Sequence, residues 1–438
     1  MSDLSISYQH VDRLTPYSNN PRTHSKKQLA QLASSIEEFG FTNPILVDDT
    51  GGVIAGHGRL EAAKMMGIDK VPTVLLADMS EAQKKAYIIA DNRLAENAGW
   101  DENILAIELQ GLIDVGFDVE LTGFDIPEID ILLSEPDGNT LSEDDEFDSP
   151  DASTPAVTQP GDLWLLGNHR LLCADATDPA SYQRLLGDEK AQMVFTDPPY
   201  NVPIDKHVCG NGQIKHREFA MASGEMSPAH FTAFLQTVFE ALAGHSKSGS
   251  IHYICMDWRH IGELLSAAES VYTELKNLCV WNKDNGGMGS LYRSKHELVF
   301  VFKHGKRQHI NNVELGRHGR YRTNVWDYPG ANSFHTKQED SLALHPTVKP
   351  VTLVADAILD CSRPKGLILD PFGGSGTTLL AAEKTQRVAA LMELDPHYCD
   401  VILRRFEDLT GISVRLEATG QNFAEKEQEI LKTLEVAS

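Results

Sequence analysis

Residues 367–378, LILDPFGGSGTT, join a short apolar run to a glycine-rich turn and then to residues that open a helix. An apolar run without polar alternation suits a strand covered on both faces, and such strands belong to parallel sheets flanked by helices. The rest of the C-terminal half obeys that constraint. Strand-like segments at 163–166, 171–173, 193–196, 251–256, 278–281, 298–302, 367–370 and 388–393 are interleaved with helical spacing at 228–243, 345–361 and 377–384. This alternation predicts an α/β fold with a mostly parallel sheet, in which ligands sit at the carboxyl ends of the strands.

The 438 residues suffice for about two to four domains. One boundary stands out: 135–151, EPDGNTLSEDDEFDSPD, holds eight acidic residues and no basic one. Such composition cannot offset its ordering entropy by burial. An acidic flexible linker is therefore expected over 136–160, between an N-terminal module at 1–135 and a C-terminal module at 161–420, with a helical tail at 421–438. No apolar run approaches the ~20 residues of a membrane span, and the chain opens on polar residues, so a cytoplasmic protein without membrane contact is expected. The six cysteines, at 173, 209, 255, 279, 361 and 399, stand at least 24 residues apart, which favours reduced thiols over disulfides or a metal knuckle, and no metal is expected. With 39 basic against 63 acidic residues, a nucleic-acid contact must be a local patch.

The glycine turn is not a pyrophosphate cradle, because the third position of a G-x-G-x-x-G pattern begun at Gly374 falls on Leu379, and no Walker lysine follows. A nucleoside with a small charged tail remains. Glu393 ends the next strand, where a carboxylate accepts hydrogen bonds from two vicinal ribose hydroxyls. Earlier, Asp197-Pro198-Pro199-Tyr200 directly follows a strand. Adjacent prolines fix φ and remove two donors, which leaves a rigid cluster of acceptors beside an aromatic face. A flipped base with an exocyclic amine needs that: Asp197 and the Pro198 carbonyl to take its hydrogens, and Tyr200 to stack on its ring.

Asp-Pro-Pro-Tyr followed by HPTVKP at 345–350 and then DPFGGSGTT resembles the amino-methylating DNA methyltransferases of the permuted β type, over about 161–410. The resemblance implies a Rossmann-like S-adenosylmethionine-dependent domain. It also implies that Asp370, Phe372, Gly374 and Gly376 line the cofactor, with Glu393 at its ribose, Thr347 and Lys349 near its methionine carboxylate and Asp175 near its adenine. Asp197 as first residue of the tetrad, with Asn201 after it, is commoner in adenine-specific members, and N4-cytosine stays open. Double-stranded DNA is the implied partner. The basic stretch 303–322, carrying Lys303, Lys306, Arg307, Arg317, Arg320 and Arg322 ahead of Trp326 and Tyr328, is similar in position to the family's target-recognition region, here about 303–340. A loop at 201–227 with Lys206, Lys215 and Arg217 is expected to close over the flipped base, and 281–289 to add a second edge. Positioning can supply much of the rate in such a transfer, and no covalent intermediate is expected.

In the N-terminal module a helix is expected at 27–39, strands at 44–47, 53–55 and 71–76, a helix from Gly56 to about Met66, another after Ser80, and helical pattern up to Leu133. Asn20-Pro21-Arg22, Gly56-His57-Gly58-Arg59, Val71-Pro72 and Asp91-Asn92-Arg93 resemble a small α+β ParB/sulfiredoxin-type domain over about 5–95. The resemblance implies nucleotide phosphates at Gly56, Gly58 and Arg59. A second copy of the chain is a further open partner. The alternative function is a ParB-like, nucleotide-dependent DNA-binding protein with secondary methylase activity.

Overall fold

The computed structural model describes residues 4–133, 154–201, 226–284, 291–313, 322–330 and 349–437. The expected loop residues Lys206, Lys215 and Arg217, the glycines at 286–289, the basic Arg317 and Arg320, Thr347, and most of the acidic segment lie outside the described residues. The chain forms two compact units, 1–133 and 134–438. Among the described residues no helix is long and apolar enough to cross a membrane.

The first unit holds β1 (Ile6–His10), α1 (Lys26–Phe39), β2 (Ile45–Val47), β3 (Val53–Ala55), α2 (His57–Met65), β4 (Lys70–Leu75), α3 (Glu81–Glu96), α4 (Glu102–Asp114) and α5 (Ile126–Leu133). Its sheet order is β1-β4-β2-β3. Ser25 and Ser80 cap α1 and α3 by accepting from Gln28 N and Gln83 N, as their place before each helical pattern requires. Ile45, Val47, Val53, Leu60, Ala63 and Val71 close the core. β1 carries no apolar signal because it is an edge strand with Ile6 and Tyr8 turned to solvent. The helical pattern up to Leu133 resolves into α4 and α5, joined through Gly116 and Gly123 at positive φ and sharing a small core of Leu109, Ile113, Val119, Ile126 and Ile129.

The second unit holds β5 (Leu163–Leu166), β6 (His169–Cys173), α6 (Pro179–Leu186), β7 (Ala191–Thr196), α7 (Pro228–Gly244), β8 (Ser246–Met256), α8 (Ile261–Glu269), β9 (Glu274–Asn282), β10 (His296–Lys303), β11 (Val325–Asp327), α9 (Val351–Cys361), β12 (Leu367–Asp370), α10 (Thr377–Lys384), β13 (Val388–Glu393), α11 (Pro396–Thr410), β14 (Arg415–Leu416) and α12 (Phe423–Ala437). The sheet order is β11-β9-β10-β8-β7-β12-β13-β6-β5-β14. The run β8-β7-β12-β13-β6 is parallel, whereas β10 runs antiparallel to both β8 and β9, and β5 to both β6 and β14. The sheet is thus parallel at its centre and reversed on both flanks.

Alternation along the central strands sends Met193, Phe195 and Ile368 into one apolar layer and Val194, Leu367 and Leu369 into the other, so the sheet is covered on both faces. Burial of each such side chain contributes roughly 1.5–3 kcal/mol. One boundary is corrected: the linker expected over 136–160 does not reach 160. Val157 and Thr158 are buried, and their amides donate to the two Asp400 oxygens of α11 at 2.7 and 2.9 Å. A buried carboxylate binding two backbone amides fixes this stretch, a partnership that local composition does not show.

Candidate active site

Four expected segments come together at the carboxyl edge of the central strands. Asp197-Pro198-Pro199-Tyr200 leaves β7, and the glycine turn leaves its neighbour β12. Glu393 ends β13, and Asp175 follows β6, whose Ala174 amide donates to the Glu393 carbonyl at 3.0 Å. Gly376 forms the start of α10 at φ +88°, and a Cβ there would meet Ile402 at 3.1 Å, so the turn leaves its backbone bare at this edge.

The Glu393 Oε2 accepts from Gly374 N at 2.8 Å and Oε1 from Asp395 N at 2.9 Å. Burial pushes this carboxyl up to about 7 against those two amides. Asp175 is half-buried and steadied by the Thr177 amide and hydroxyl at 2.7 and 2.8 Å. Phe372 is half-buried, its ring 6.1 Å from that of Phe234. These residues fit S-adenosylmethionine: Glu393 and Asp175 provide acceptors for hydroxyl and amine donors, Phe372 an apolar wall, and the turn close backbone approach.

Two of the expected cofactor residues are held by their own side-chain partners. Asp370 is 4% exposed and accepts from Thr196 Oγ1 (2.8 Å), Thr378 Oγ1 (2.6 Å) and Phe372 N (3.1 Å). It therefore ties the glycine turn to the end of β7, and burial raises its carboxyl to about 7. Lys349, expected beside a methionine carboxylate, is 4% exposed and binds Asp197 Oδ2 at 2.5 Å and Glu297 Oε2 at 2.9 Å.

The tetrad sits in a charge cluster. Tyr200 donates its hydroxyl to Asp197 Oδ1, Lys283 donates to Glu297 Oε1, and the Lys349 Nζ lies 5.8 Å from the ring centres of both Tyr200 and Trp281. Burial raises the Asp197 carboxyl and Glu297 raises it further, while Lys349 opposes both. Burial likewise works against Glu297, yet Lys349 and Lys283 hold its carboxyl down to about 2. Asn201, at φ +53°, exchanges two hydrogen bonds with the Met226 backbone and so fixes the chain just after the tetrad. The arrangement provides acceptors on Asp197 and on the Pro198 carbonyl beside the Tyr200 ring, which suits holding an aromatic amine.

Of the expected DNA residues that are described, Lys303, Lys306 and Arg307 are not brought to this edge. β10 runs antiparallel to β8, with Leu298 opposite Met256 and Lys303 opposite Ile251. Lys303, Lys306 and Arg307 therefore lie at the far edge of the sheet, about 20 Å from Glu297 along the strand. Arg322 is engaged by Asp360 at 3.0 Å and Asp356 at 3.0 Å, with Tyr328 at 2.8 Å, and its charge is offset within the fold. The reversal of β10 instead brings the β9–β10 connection to the catalytic edge, where Leu291 is 83% and Tyr292 84% exposed beside exposed Arg293 and Lys295. Sequence reasoning missed Glu297 altogether. Its signal was an acid opening an otherwise apolar strand.

In the first unit, Gly56 at φ +94° forms the start of α2, and Arg59 Nε is buried without a hydrogen-bond partner among the described residues. His57 Nε2 accepts from Tyr17 N at 3.2 Å, and a Cβ at Gly58 would meet His24 and Leu32 at 3.0 Å, so the first turn of α2 packs closely on its neighbours.

Residues 191–404 match the DNA methylase family N6_N4_Mtase, residues 103–160 the ParB-methyltransferase HTH domain, and residues 3–92 the ParB N-terminal domain. The helix-turn-helix class of α4 and α5 was read from sequence only as helical pattern. The ParB-like nuclease domain-containing protein YnaK of Escherichia coli (strain K12) is 49% identical over 82 residues, 19% of this chain and 94% of that protein. The DNA adenine methyltransferase YhdJ of Escherichia coli (strain K12) is 27% identical over 248 residues, 50% of this chain and 77% of that protein. Among solved structures, the cytosine-N4-specific PvuII DNA methyltransferase is similar at a TM-score of 0.41 and 15% identity, over 55% of this chain and 86% of that one. This chain carries a DNA methylase domain of the S-adenosylmethionine-dependent N6/N4 family, with a ParB-type N-terminal domain and a ParB-methyltransferase helix-turn-helix domain ahead of it.

Proposed function

We propose that the enzyme is a site-specific methyltransferase acting on the N6 amine of adenine in duplex DNA, with the target base flipped onto Tyr200. The observation that carries this reading is the tetrad Asp197-Pro198-Pro199-Tyr200 leaving β7 beside the glycine turn of β12, with Asp197 still 26% exposed. Asp197 and the Pro198 carbonyl accept hydrogen bonds from the two amine hydrogens, which favours pyramidal nitrogen and exposes its lone pair in line with the methyl carbon; the cofactor would supply that methyl group, its S–C bond breaking as the N–C bond forms with the thioether as leaving group, and one amine proton would pass to solvent. An Asp heading the tetrad and likeness to a protein named as an adenine methyltransferase support adenine.

DNA approaches over the β9–β10 connection, where Arg293 and Lys295 meet phosphate and Tyr292 meets bases. The helix-turn-helix segment is not the phosphate contact, because no Lys, Arg or His occurs between Arg93 and His169. At the N-terminal turn, Gly56, Gly58 and Arg59 hold a nucleotide phosphate, supported by the unmatched Arg59 Nε beside the open helix start.

The test is incubation with methyl-labelled S-adenosylmethionine and unmethylated genomic DNA, followed by single-molecule sequencing. N6-methyladenine at one short motif is expected. N4-methylcytosine, or label in RNA alone, overturns the adenine reading.

A further inference from the structure

We infer that Glu297 is a positioning residue for Asp197, acting through Lys349, an inference that rests on the amine-transfer reading of this site. The three residues come from segments far apart in sequence: the loop after β7, the start of β10 and the approach to α9. Lys349 Nζ stands between the carboxylates, 2.5 Å from Asp197 Oδ2 and 2.9 Å from Glu297 Oε2, and its third direction meets Tyr200 OH at 3.3 Å. Glu297 in turn is held on its other oxygen by Lys283, whose ammonium lies 4.4 Å from the centre of the Trp281 ring. Among the described residues, two carboxylates and two ammonium groups offset one another here, as burial of ionised groups favours.

The division of labour follows from exposure. Asp197 is 26% exposed, Glu297 11% and Lys349 4%, so only Asp197 faces the side from which a base arrives. A lone buried ammonium would draw the Asp197 carboxylate fully onto itself and weaken it as an acceptor. By sharing that ammonium, Glu297 leaves Asp197 with the electron density to accept amine hydrogens, and it fixes which side of the carboxylate the lysine occupies. Glu297 never touches the base. It sets where Asp197 points and how basic it is.

The experiment compares Glu297→Gln and Lys283→Met with the wild type in full-length enzyme. Single-turnover methylation is measured against pH, with S-adenosylmethionine affinity measured separately by calorimetry. Glu297→Gln keeps the shape and removes one negative charge, so the rate falls about 10- to 100-fold, cofactor affinity stays within twofold, and the acid limb of the pH profile moves down as Asp197 loses a repelling neighbour. Lys283→Met removes a positive charge, and the acid limb moves up. Opposite shifts are the signature of charge acting on Asp197, which mere packing loss does not produce. A Glu297→Gln enzyme with wild-type rate and pH profile overturns the inference, as does a slower one whose acid limb stays in place. If Glu297→Gln does not fold, the direction of the Lys283→Met shift decides alone. Should the wild type transfer no methyl group to DNA, the function proposed above fails first, which separates the two outcomes.

Discussion

Two strand-to-helix turns in this chain share one backbone device and take opposite electrostatic surroundings. Gly56 opens α2 at φ +94°, ψ +26°, and Gly376 opens α10 at φ +88°, ψ +17°. Each offers free amides at a helix start, which by itself favours an anion. Beside Gly56 stands Arg59, half-buried and with Nε unmatched, which adds to that preference. Beside Gly376 stand Asp370, Glu393 and, after β6, Asp175, while one amide of the turn is already consumed by Glu393. Carboxylates there offer acceptors where the first turn offers a cation, which favours hydroxyl and amine donors over an anion. A glycine turn therefore provides close approach, and the neighbouring charges choose the ligand.

The largest effect should come from separating the tetrad from the turn. Asp197→Ala should lower methyl transfer about 1,000-fold while calorimetry shows unchanged cofactor affinity, because its carboxylate acts on the amine and not on the cofactor. Loss of both together would break the division between the two sites.

Next comes the carboxylate that distinguishes the second turn. With Glu393 pushed up to about 7, its ionised fraction falls as pH drops through that value. Ribose hydroxyls donate to the ionised form, so cofactor affinity should weaken from pH 8 to pH 6. Glu393→Gln should cost about tenfold in affinity and flatten that dependence. A wild-type affinity that ignores pH in this window would remove Glu393 from the ribose.

Tyr292→Ala should weaken DNA binding by roughly tenfold and leave cofactor affinity alone, as read by fluorescence anisotropy on a labelled duplex. Lys303→Ala, at the opposite edge of the sheet, should change neither. The smallest effect on methylation is expected from Arg59→Gln, which should abolish binding of a fluorescent nucleoside triphosphate while leaving the nucleotide-free methylation rate unaltered. Triphosphate binding that survives in this variant would place the ligand away from the first turn.

Position along the sheet is legible in the sequence where a motif follows a strand within a few residues. The tetrad after β7, the turn after β12 and the acid ending β13 are each contiguous, and a parallel βαβ arrangement sends all three strand ends to one edge. Placement is not legible where the chain reverses. Lys303, Lys306 and Arg307 form a basic patch ahead of aromatics in the sequence, and an antiparallel β10 carries them to the edge of the sheet away from the tetrad. The hydrogen bonds that Asp370 accepts from Thr196 and Thr378 likewise join segments that no local pattern links.

By itself, then, the sequence determined the parallel centre of the sheet, the glycine-bare turns and the acceptor-rich tetrad, because apolar runs, glycine φ freedom and the missing N–H of proline act within a few residues. Only the tertiary structure decided that Lys349 serves Asp197, that Glu297 and Lys283 balance it, and that Arg322 is spent on Asp356 and Asp360. Those pairings join residues 14 to 152 positions apart, and a buried charge declares its partner only once sheet register has brought the two within hydrogen-bond reach.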